Sequence, residues 1–157
     1  MIYIFKLSGE NYKLAKFELE TLLGRKLRRS KDTVSIDLAL SLKQVIAICN
    51  RSSMVQKCYV DGLKVWAAKS DKRFVARSPK KKPKTHPAML KPKLARLLIN
   101  LTGAKKELLD PFCGTGSILI EAGVLGIKPS GSDIDRKMVW YSELNTKHFN
   151  VKATLRH

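Results

Sequence analysis

A glycine-containing run in the second half of the chain has the residues that a ligand-binding loop needs. It reads L-D-P-F-C-G-T-G-S from Leu109 to Ser117 and joins two apolar stretches. Gly114 and Gly116 have no Cβ, so the backbone can turn sharply there and a ligand can lie directly against it. N–H groups at the start of a following helix can point at a carboxylate or phosphate of that ligand. A lone G-x-G is common in turns, but the complete string is more specific and predicts a site for an anionic nucleotide-like ligand.

A second acidic group follows at a spacing that suits a ribose. Asp133 lies seventeen residues beyond Gly116, at the end of the next predicted strand. In an open α/β sheet this position is the carboxyl edge of a neighbouring strand, where a carboxylate can accept hydrogen bonds from a ribose diol. The alternative is an ordinary turn residue. Asp135 is predicted to be only the N-cap of the next helix.

The elements around these residues follow the order of a doubly wound sheet. Helices are predicted over 92–101, 117–125 and 136–148, and strands over 107–112 and 129–133. Alternation of strands and helices is typical of a parallel sheet, so residues 86–157 are predicted to form part of a Rossmann-like domain. In a sheet ordered 3-2-1-4-5 the first strand is central, and half of such a sheet leaves that strand as an open edge.

The first 63 residues have a different pattern. Strands over 2–7, 34–38 and 54–60 alternate with a helix over 12–23 and with a second helix that begins at a capping box, Ser41-x-x-Gln44. This order predicts a ferredoxin-like α+β module over 1–63. Residues 64–85 contain lysine, arginine and proline without periodicity, which predicts a basic linker.

The charge is strongly positive. The chain has 31 Lys and Arg against 13 Asp and Glu, a net charge of +18. Such a surface attracts polyanions and makes nucleic acid the leading partner class, although a merely solvated basic surface is the alternative. The residues of the linker predicted to contact RNA phosphates are Arg77, Lys80, Lys81, Lys82 and Lys84.

Composition also excludes some classes of protein. Cys49, Cys58 and Cys113 are too widely spaced for a C-x-x-C motif and too few for a disulfide scaffold, which favours a reduced compartment and no metal site. The chain contains no apolar run of bilayer-spanning length and no signal-peptide pattern at its start. A cytoplasmic protein without a membrane partner is expected.

Several motifs together resemble the archaeal and eukaryotic tRNA guanosine-N2 methyltransferases that act at position 10. They are T-H-P-A-M-L-K-P-K-L-A-R (85–96), N-L (100–101), the glycine loop, I-L-I-E-A (118–122) and G-S-D-I-D (131–135). The resemblance is strong over residues 70–150 and looser over 1–63, which is similar to the N-terminal ferredoxin-like domain of those enzymes. It implies a class I methyltransferase sheet and tRNA as a partner.

The same resemblance implies that S-adenosylmethionine is the cofactor. Asp110, Gly114 and Gly116 would frame its methionine end and Asp133 would hold its ribose, while the segment 86–90 would pack over it. For His86 a structural role and a cofactor-side role stay equally open. The predicted cofactor-binding residues are therefore His86, Asp110, Phe112, Gly114, Gly116 and Asp133.

Two features of the family are missing from the sequence. The THUMP domain expected between Val60 and Trp66 has no counterpart, and neither D-P-P-Y nor N-P-P-Y, the loop that aligns the guanine amino group, occurs in the 157 residues. No catalytic residue is therefore predicted here. The first hypothesis is a subunit or fragment of a split methyltransferase whose second polypeptide carries D-P-P-Y. The alternatives are an inactive RNA-binding or cofactor-binding remnant or accessory protein, and an unrelated enzyme that uses the loop for another nucleotide.

Overall fold

The fold is described by a computed structural model for residues 1–28, 32–68 and 72–157. The chain divides into two units, Met1–Asp71 and Lys72–His157, and each is described by itself. The division falls inside the predicted linker. Of that linker, residues 69–71 lie outside the described part of the chain.

The first unit is built on a four-stranded antiparallel sheet. Its strands are β1 (Ile2–Leu7), β2 (Thr33–Asp37), β3 (Val55–Val60) and β4 (Leu63–Ala67), in the order β2-β1-β3-β4. Every second residue of the central strand β1 is buried, because alternate side chains of a strand point to opposite faces. The core of the unit therefore lies on one face of the sheet.

Two helices complete this unit, and one end of each lies where the sequence predicts it. Helix α1 (Tyr12–Leu23) ends at Gly24, which has the left-handed backbone that glycine adopts without strain. Helix α2 (Leu42–Arg51) begins with the predicted capping box between Ser41 and Gln44. These local predictions are confirmed.

Strand β4 corrects the predicted boundary at residue 63. Asp61 and Gly62 both have positive φ, 48° and 78°, and form the two-residue connection between β3 and β4. Asp-Gly is favoured in such hairpin turns because both central residues need positive φ. The linker therefore does not begin at residue 64. The order β-α-β-α-β-β also differs from the β-α-β-β-α-β order of the ferredoxin-like fold, so that assignment is not confirmed.

The second unit contains the predicted parallel sheet. Strands β5 (Glu107–Asp110), β6 (Lys128–Ser132) and β7 (Thr154–Arg156) are parallel and lie in the order β5-β6-β7. Strand β7 was not predicted. Within the described residues β5 pairs only with β6, so the edge expected for this strand is present. The helices are α3 (Lys72–Val75), α4 (Pro92–Thr102), α5 (Ser117–Val124) and α6 (Arg136–His148).

Helices α4 and α5 pack together around Ile99, Ala122 and Ile127, which are almost fully buried. Of the leucines of α4, Leu97 is buried, whereas Leu94 and Leu98 are 42% and 39% exposed. The buried face of α4 instead carries Pro92, Ala95, Arg96, Leu97, Ile99 and Asn100. The buried Arg96 on this face donates to Glu121 of α5.

The basic residues 72–85 belong to this second unit and are not an extended tether. Helix α3 and a short 3-10 turn, Pro79–Lys81, lie within them, and Phe74 is buried. Across the described residues, no helix is both long and apolar enough to cross a membrane.

Candidate ligand site

A cavity of about 380 Å³ lies in the second unit, at the carboxyl end of β5. The loop from β5 to α5 forms one wall, and the segment that precedes α4 contributes to another. Its size is within the range of small-molecule sites. The lining residues are His86, Ala88, Met89, Leu90, Asp110, Phe112, Cys113, Gly114, Thr115, Ser117, Ile118 and Met138.

Four of the six predicted cofactor-binding residues line this cavity, namely His86, Asp110, Phe112 and Gly114. Gly116 and Asp133 are not part of the described wall. Among the residues that the sequence reasoning missed, Thr115 and Ser117 lie inside the motif itself, so proximity could have identified them. Met138 carries no such signal, because only the packing of α6 brings it to the cavity.

Asp133 is bonded to the glycine loop. One of its carboxylate oxygens accepts a hydrogen bond from the Gly114 N–H at 2.8 Å, and the other accepts from the Asp135 N–H at 3.0 Å. Each oxygen keeps a further lone pair for another donor. The carboxylate therefore ties the loop after β5 to the end of β6, which fixes the backbone beside the cavity.

The two glycines of the loop are required for different reasons. Gly114 has φ +51°, and no heavy atom lies within 4 Å of the position that a Cβ would take, so its open side is available to a ligand. Gly116 has φ +80°, and a Cβ there would stand 2.6 Å from Ser142 Oγ. Gly114 thus allows close approach from the cavity, whereas Gly116 allows α6 to pack against the loop.

The cavity is acidic in a basic protein. Burial raises the pKa of Asp110 above its usual range, the Phe112 N–H bonded to its carboxylate opposes that shift, and the charge of Asp133 adds to it. None of the described residues that line the cavity is a lysine or arginine. Burial also raises the pKa of the Cys113 thiol, so this cysteine is not an activated nucleophile.

Part of the predicted RNA-binding segment is buried. Lys82 is only 8% exposed, and its Nζ donates to Ser117 Oγ at 2.7 Å. Arg77 donates to both carboxylate oxygens of buried Glu121, which also accepts from Arg96 at 2.7 Å. The expectation that Lys82 and Arg77 contact phosphates is therefore corrected, because their charges face the protein interior. Lys80 and Lys81 are exposed, and their RNA contacts stay a prediction.

A buried ammonium group is costly, and the titration of Lys82 reflects it. Burial lowers the pKa of Lys82 to about 8, and the negative charge of Glu121 only partly offsets this effect. Arg77 and Arg96 thus pair with Glu121 in the middle of α5. Lys82, which is bonded to Ser117 at the start of this helix, is also attracted by the Glu121 charge. This arrangement holds the basic segment against the helix that begins at the glycine loop.

The parallel strands, the glycine loop and the cavity at the carboxyl edge define an α/β domain with a candidate ligand site at its loop side. Residues 79–156 match the family model of the RMKL-like methyltransferase domain, UPF0020. Over these residues the chain matches that methyltransferase domain family, and the resemblance deduced from its motifs is confirmed.

Curated relatives are tRNA-modifying enzymes of archaea. The chain is 45% identical over 84 residues to the tRNA (guanine(10)-N2)-dimethyltransferase of Methanothermobacter thermautotrophicus, a match of 52% of this chain and 25% of that protein. It is 44% identical over 81 residues to the enzyme of the same name from Pyrococcus abyssi, again covering 52% and 25%. A probable enzyme of this name from Methanothermococcus thermolithotrophicus is 56% identical over 61 residues, 38% of each chain. The matches thus cover a quarter of the first two relatives.

The buried Lys82 predicts an unusual dependence of stability on pH. Because its pKa is about 8 in the folded state and near the ordinary value of 10.5 when unfolded, the unfolded chain binds more protons between these values. Its contribution to the free energy of unfolding therefore rises as the pH rises from about 8 to 10.5. Lys82→Met should remove this rise, which amounts to roughly 1–3 kcal/mol.

The measurement is urea unfolding of the wild type and of Lys82→Met at several pH values from 7 to 10.5. The difference between the two proteins cancels the titration of other groups. Lys81→Met is the matched control, since Lys81 is exposed in the same segment. A pH-independent difference for Lys82→Met would contradict the prediction.

Proposed function

We propose that the second unit binds S-adenosylmethionine and contributes this cofactor site to a methyltransferase that acts on guanine N2 in tRNA. The observation that carries the proposal is the cavity beside the glycine loop, at the carboxyl end of a parallel strand. The relatives named above act on tRNA guanine at position 10.

The charge of the cavity favours this cofactor over a phosphate-bearing nucleotide. S-adenosylmethionine carries a sulfonium, an ammonium and one carboxylate group and is a net cation, whereas ATP and NAD are net anions because of their phosphates. Residues 72–157 contain 18 Lys and Arg against 6 Asp and Glu, yet the described cavity wall has Asp110 and no lysine or arginine. A carboxylate in a partly buried site attracts a cation and repels a phosphate. When bound, S-adenosylmethionine supplies an electrophilic methyl group.

The residues around the cavity suit separate parts of the cofactor. Asp110 would attract the positive methionine end, and Gly114 would let that end lie against the backbone. The lone pairs of Asp133 that remain after its bonds to the loop would accept ribose hydroxyl groups. Phe112 and Ile134 are 84% and 93% exposed beside these carboxylates, and both offer apolar surface to an adenine ring.

The residues that align the methyl acceptor are proposed to lie outside these 157 residues, because no D-P-P-Y or N-P-P-Y occurs among them. A second polypeptide that carries this motif is one form of the proposal. Strand β5 supports it, since this strand has an open edge within the described residues and Leu109 is 67% exposed. The alternative is a cofactor-binding accessory protein without catalysis. The likeness of the first unit to the N-terminal module of tRNA methyltransferases stays a prediction.

Replacing Asp110 by Asn should weaken S-adenosylmethionine binding by about 5- to 100-fold, the usual cost of losing a charged partner. The side-chain oxygen of Asn can still accept from Phe112 N–H, so the loop should keep its shape. In the wild type, affinity should fall as the pH drops through the raised pKa of Asp110, and this fall should be smaller in the variant.

Isothermal titration calorimetry at pH 7.5 and 5 measures both effects, with ATP as the anionic comparison ligand. ATP is expected to bind more weakly than S-adenosylmethionine to the wild type. Tighter binding of ATP, or equal affinities of S-adenosylmethionine for wild type and Asp110→Asn, would refute the cofactor assignment.

Gly114→Val should abolish detectable binding of S-adenosylmethionine, because its side chain enters the open side of the loop and valine is strained at φ +51°. Gly9→Val is the matched control, since Gly9 also has open space around it but lies outside the region of positive φ. The control should bind as the wild type does. Thermal unfolding distinguishes a blocked cavity from a collapsed fold, and unchanged binding by Gly114→Val would contradict the site.

The chain alone should not methylate tRNA. A bound methyl donor accelerates the transfer only when the exocyclic amine of guanine is aligned with the methyl group, and the motif that aligns it does not occur in this sequence. The test is transfer of a labelled methyl group to unmodified tRNA transcripts by the purified chain. Addition of a polypeptide with the D-P-P-Y segment of a relative is the positive comparison. Transfer above background by the chain alone would disprove this division of labour. No transfer in either case would favour the accessory protein.

A further inference from the structure

A patch of aromatic and basic side chains lies on the surface of α6 in the second unit. It consists of Lys84, Lys137, Trp140 and Tyr141, which we call the aromatic patch. Trp140 is 49% exposed, and its ring centroid lies 5.5 Å from that of Tyr141. The Lys84 ammonium lies 4.7 Å from the Trp140 ring centroid, and the Lys137 ammonium lies 5.6 Å from the Tyr141 ring centroid. These distances are within the range of cation–π attraction.

The patch is held in place from beneath by a buried asparagine. Asn145 Oδ1 accepts from the Lys84 N–H at 3.0 Å, and Asn145 Nδ2 donates to the Lys84 carbonyl at 2.9 Å. Asn145 is fully buried, and its Nδ2 also donates to the Thr115 carbonyl at 2.9 Å. The backbone of Lys84 is therefore fixed against α6, so a base that stacks on the Trp140 face under the Lys84 ammonium requires only that side chain to move.

A half-exposed indole ring with ammonium groups at cation–π distance from it and from the neighbouring Tyr141 ring is complementary to a nucleotide. Any base can stack on an exposed aromatic side chain, because every base has a π-face. Lysines near the ring can contact the phosphates on either side of that base. Arg136 and Lys147 share the helical face of Trp140 by their spacing of four and seven residues. Glu143, three residues from Trp140, is the acidic side chain on that face.

We propose that the aromatic patch is an RNA-contacting surface, on which an unpaired or splayed base stacks on Trp140 while Lys84 and Lys137 contact phosphates. This inference rests on the proposed function, because α6 also carries Met138, which lines the candidate cofactor cavity. Asn145 further links the patch to Thr115 in the cavity wall. RNA bound at the patch would thus be held by the same helix that borders the methyl-donor site.

The chain has two tryptophans, which permits a direct optical test. In a Trp66→Phe background, Trp140 is the only tryptophan, and stacking of a base on it should quench its fluorescence. The probe is an unmodified tRNA transcript, and heparin serves as a polyanion without bases. The transcript should quench Trp140 and heparin should not, although heparin should compete for binding.

Substitutions separate stacking from charge. In the otherwise wild-type chain, Trp140→Ala should weaken tRNA binding by about 5- to 100-fold with an unchanged salt dependence, and Trp140→Phe should recover part of the affinity. Lys84→Ala with Lys137→Ala should reduce the slope of log affinity against log salt by about 1 per lysine. The matched control is Lys105→Ala with Lys106→Ala, two exposed lysines just before β5, away from the carboxyl ends of the strands.

The inference is overturned if the transcript does not quench Trp140. It is also overturned if both Trp140 variants bind tRNA as the wild type does, or if the control lysines matter as much as those of the patch. Calorimetry with S-adenosylmethionine separates the two proposals. If the chain binds S-adenosylmethionine but tRNA does not quench the fluorescence of Trp140, only this inference is wrong. Quenching by tRNA without cofactor binding would remove the proposed function and leave the RNA surface standing.

Discussion

The loop between β5 and α5 is fixed by side chains from three separate parts of the second unit. Asp133 accepts from Gly114 N–H, Asn145 donates to the Thr115 carbonyl, and Lys82 donates to Ser117 Oγ. The glycines of this loop let a ligand approach the backbone closely, but they also allow the backbone more conformations. The three contacts restore the order that the glycines remove, and they do so without filling the cavity side. The candidate site depends on this restraint.

The buried carboxylate of Glu121 has a comparable effect on the basic segment. Glu121 is 1% exposed and accepts hydrogen bonds from both Arg77 and Arg96. Its negative charge also raises the pKa of Lys82 and partly offsets the effect of burial. An unpaired charge at such a position would be strongly destabilising, so the arginines and the carboxylate require one another. Residues 77–82 are consequently held against α5 by these contacts, while Lys80 and Lys81 are exposed to solvent.

Charge is therefore divided within one small unit. The described cavity wall carries a carboxylate and no lysine or arginine, while the surface of α6 places ammonium groups on exposed rings. A cationic small molecule and a polyanion are attracted to different parts of the same unit by this separation. Both parts meet at α6, because Met138 lines the cavity and Trp140 lies in the aromatic patch.

The sequence by itself determined the local features: both helix caps of the first unit, the parallel order of β5 and β6, and the glycine loop with its flanking acids. These features depend on backbone conformation and on residues near one another in the chain, so they can be predicted without knowing the tertiary structure. The tertiary structure decided the rest. Lys82 and Arg77 look like any other cations in the sequence, and only their long-range contacts with Ser117 and Glu121 bury them. Strand β4 is different, because its signals are local and the prediction missed them. Asp61-Gly62 is a favoured hairpin turn, and Val65 and Trp66 are residue types enriched in strands, but they lie at the start of the lysine-containing segment.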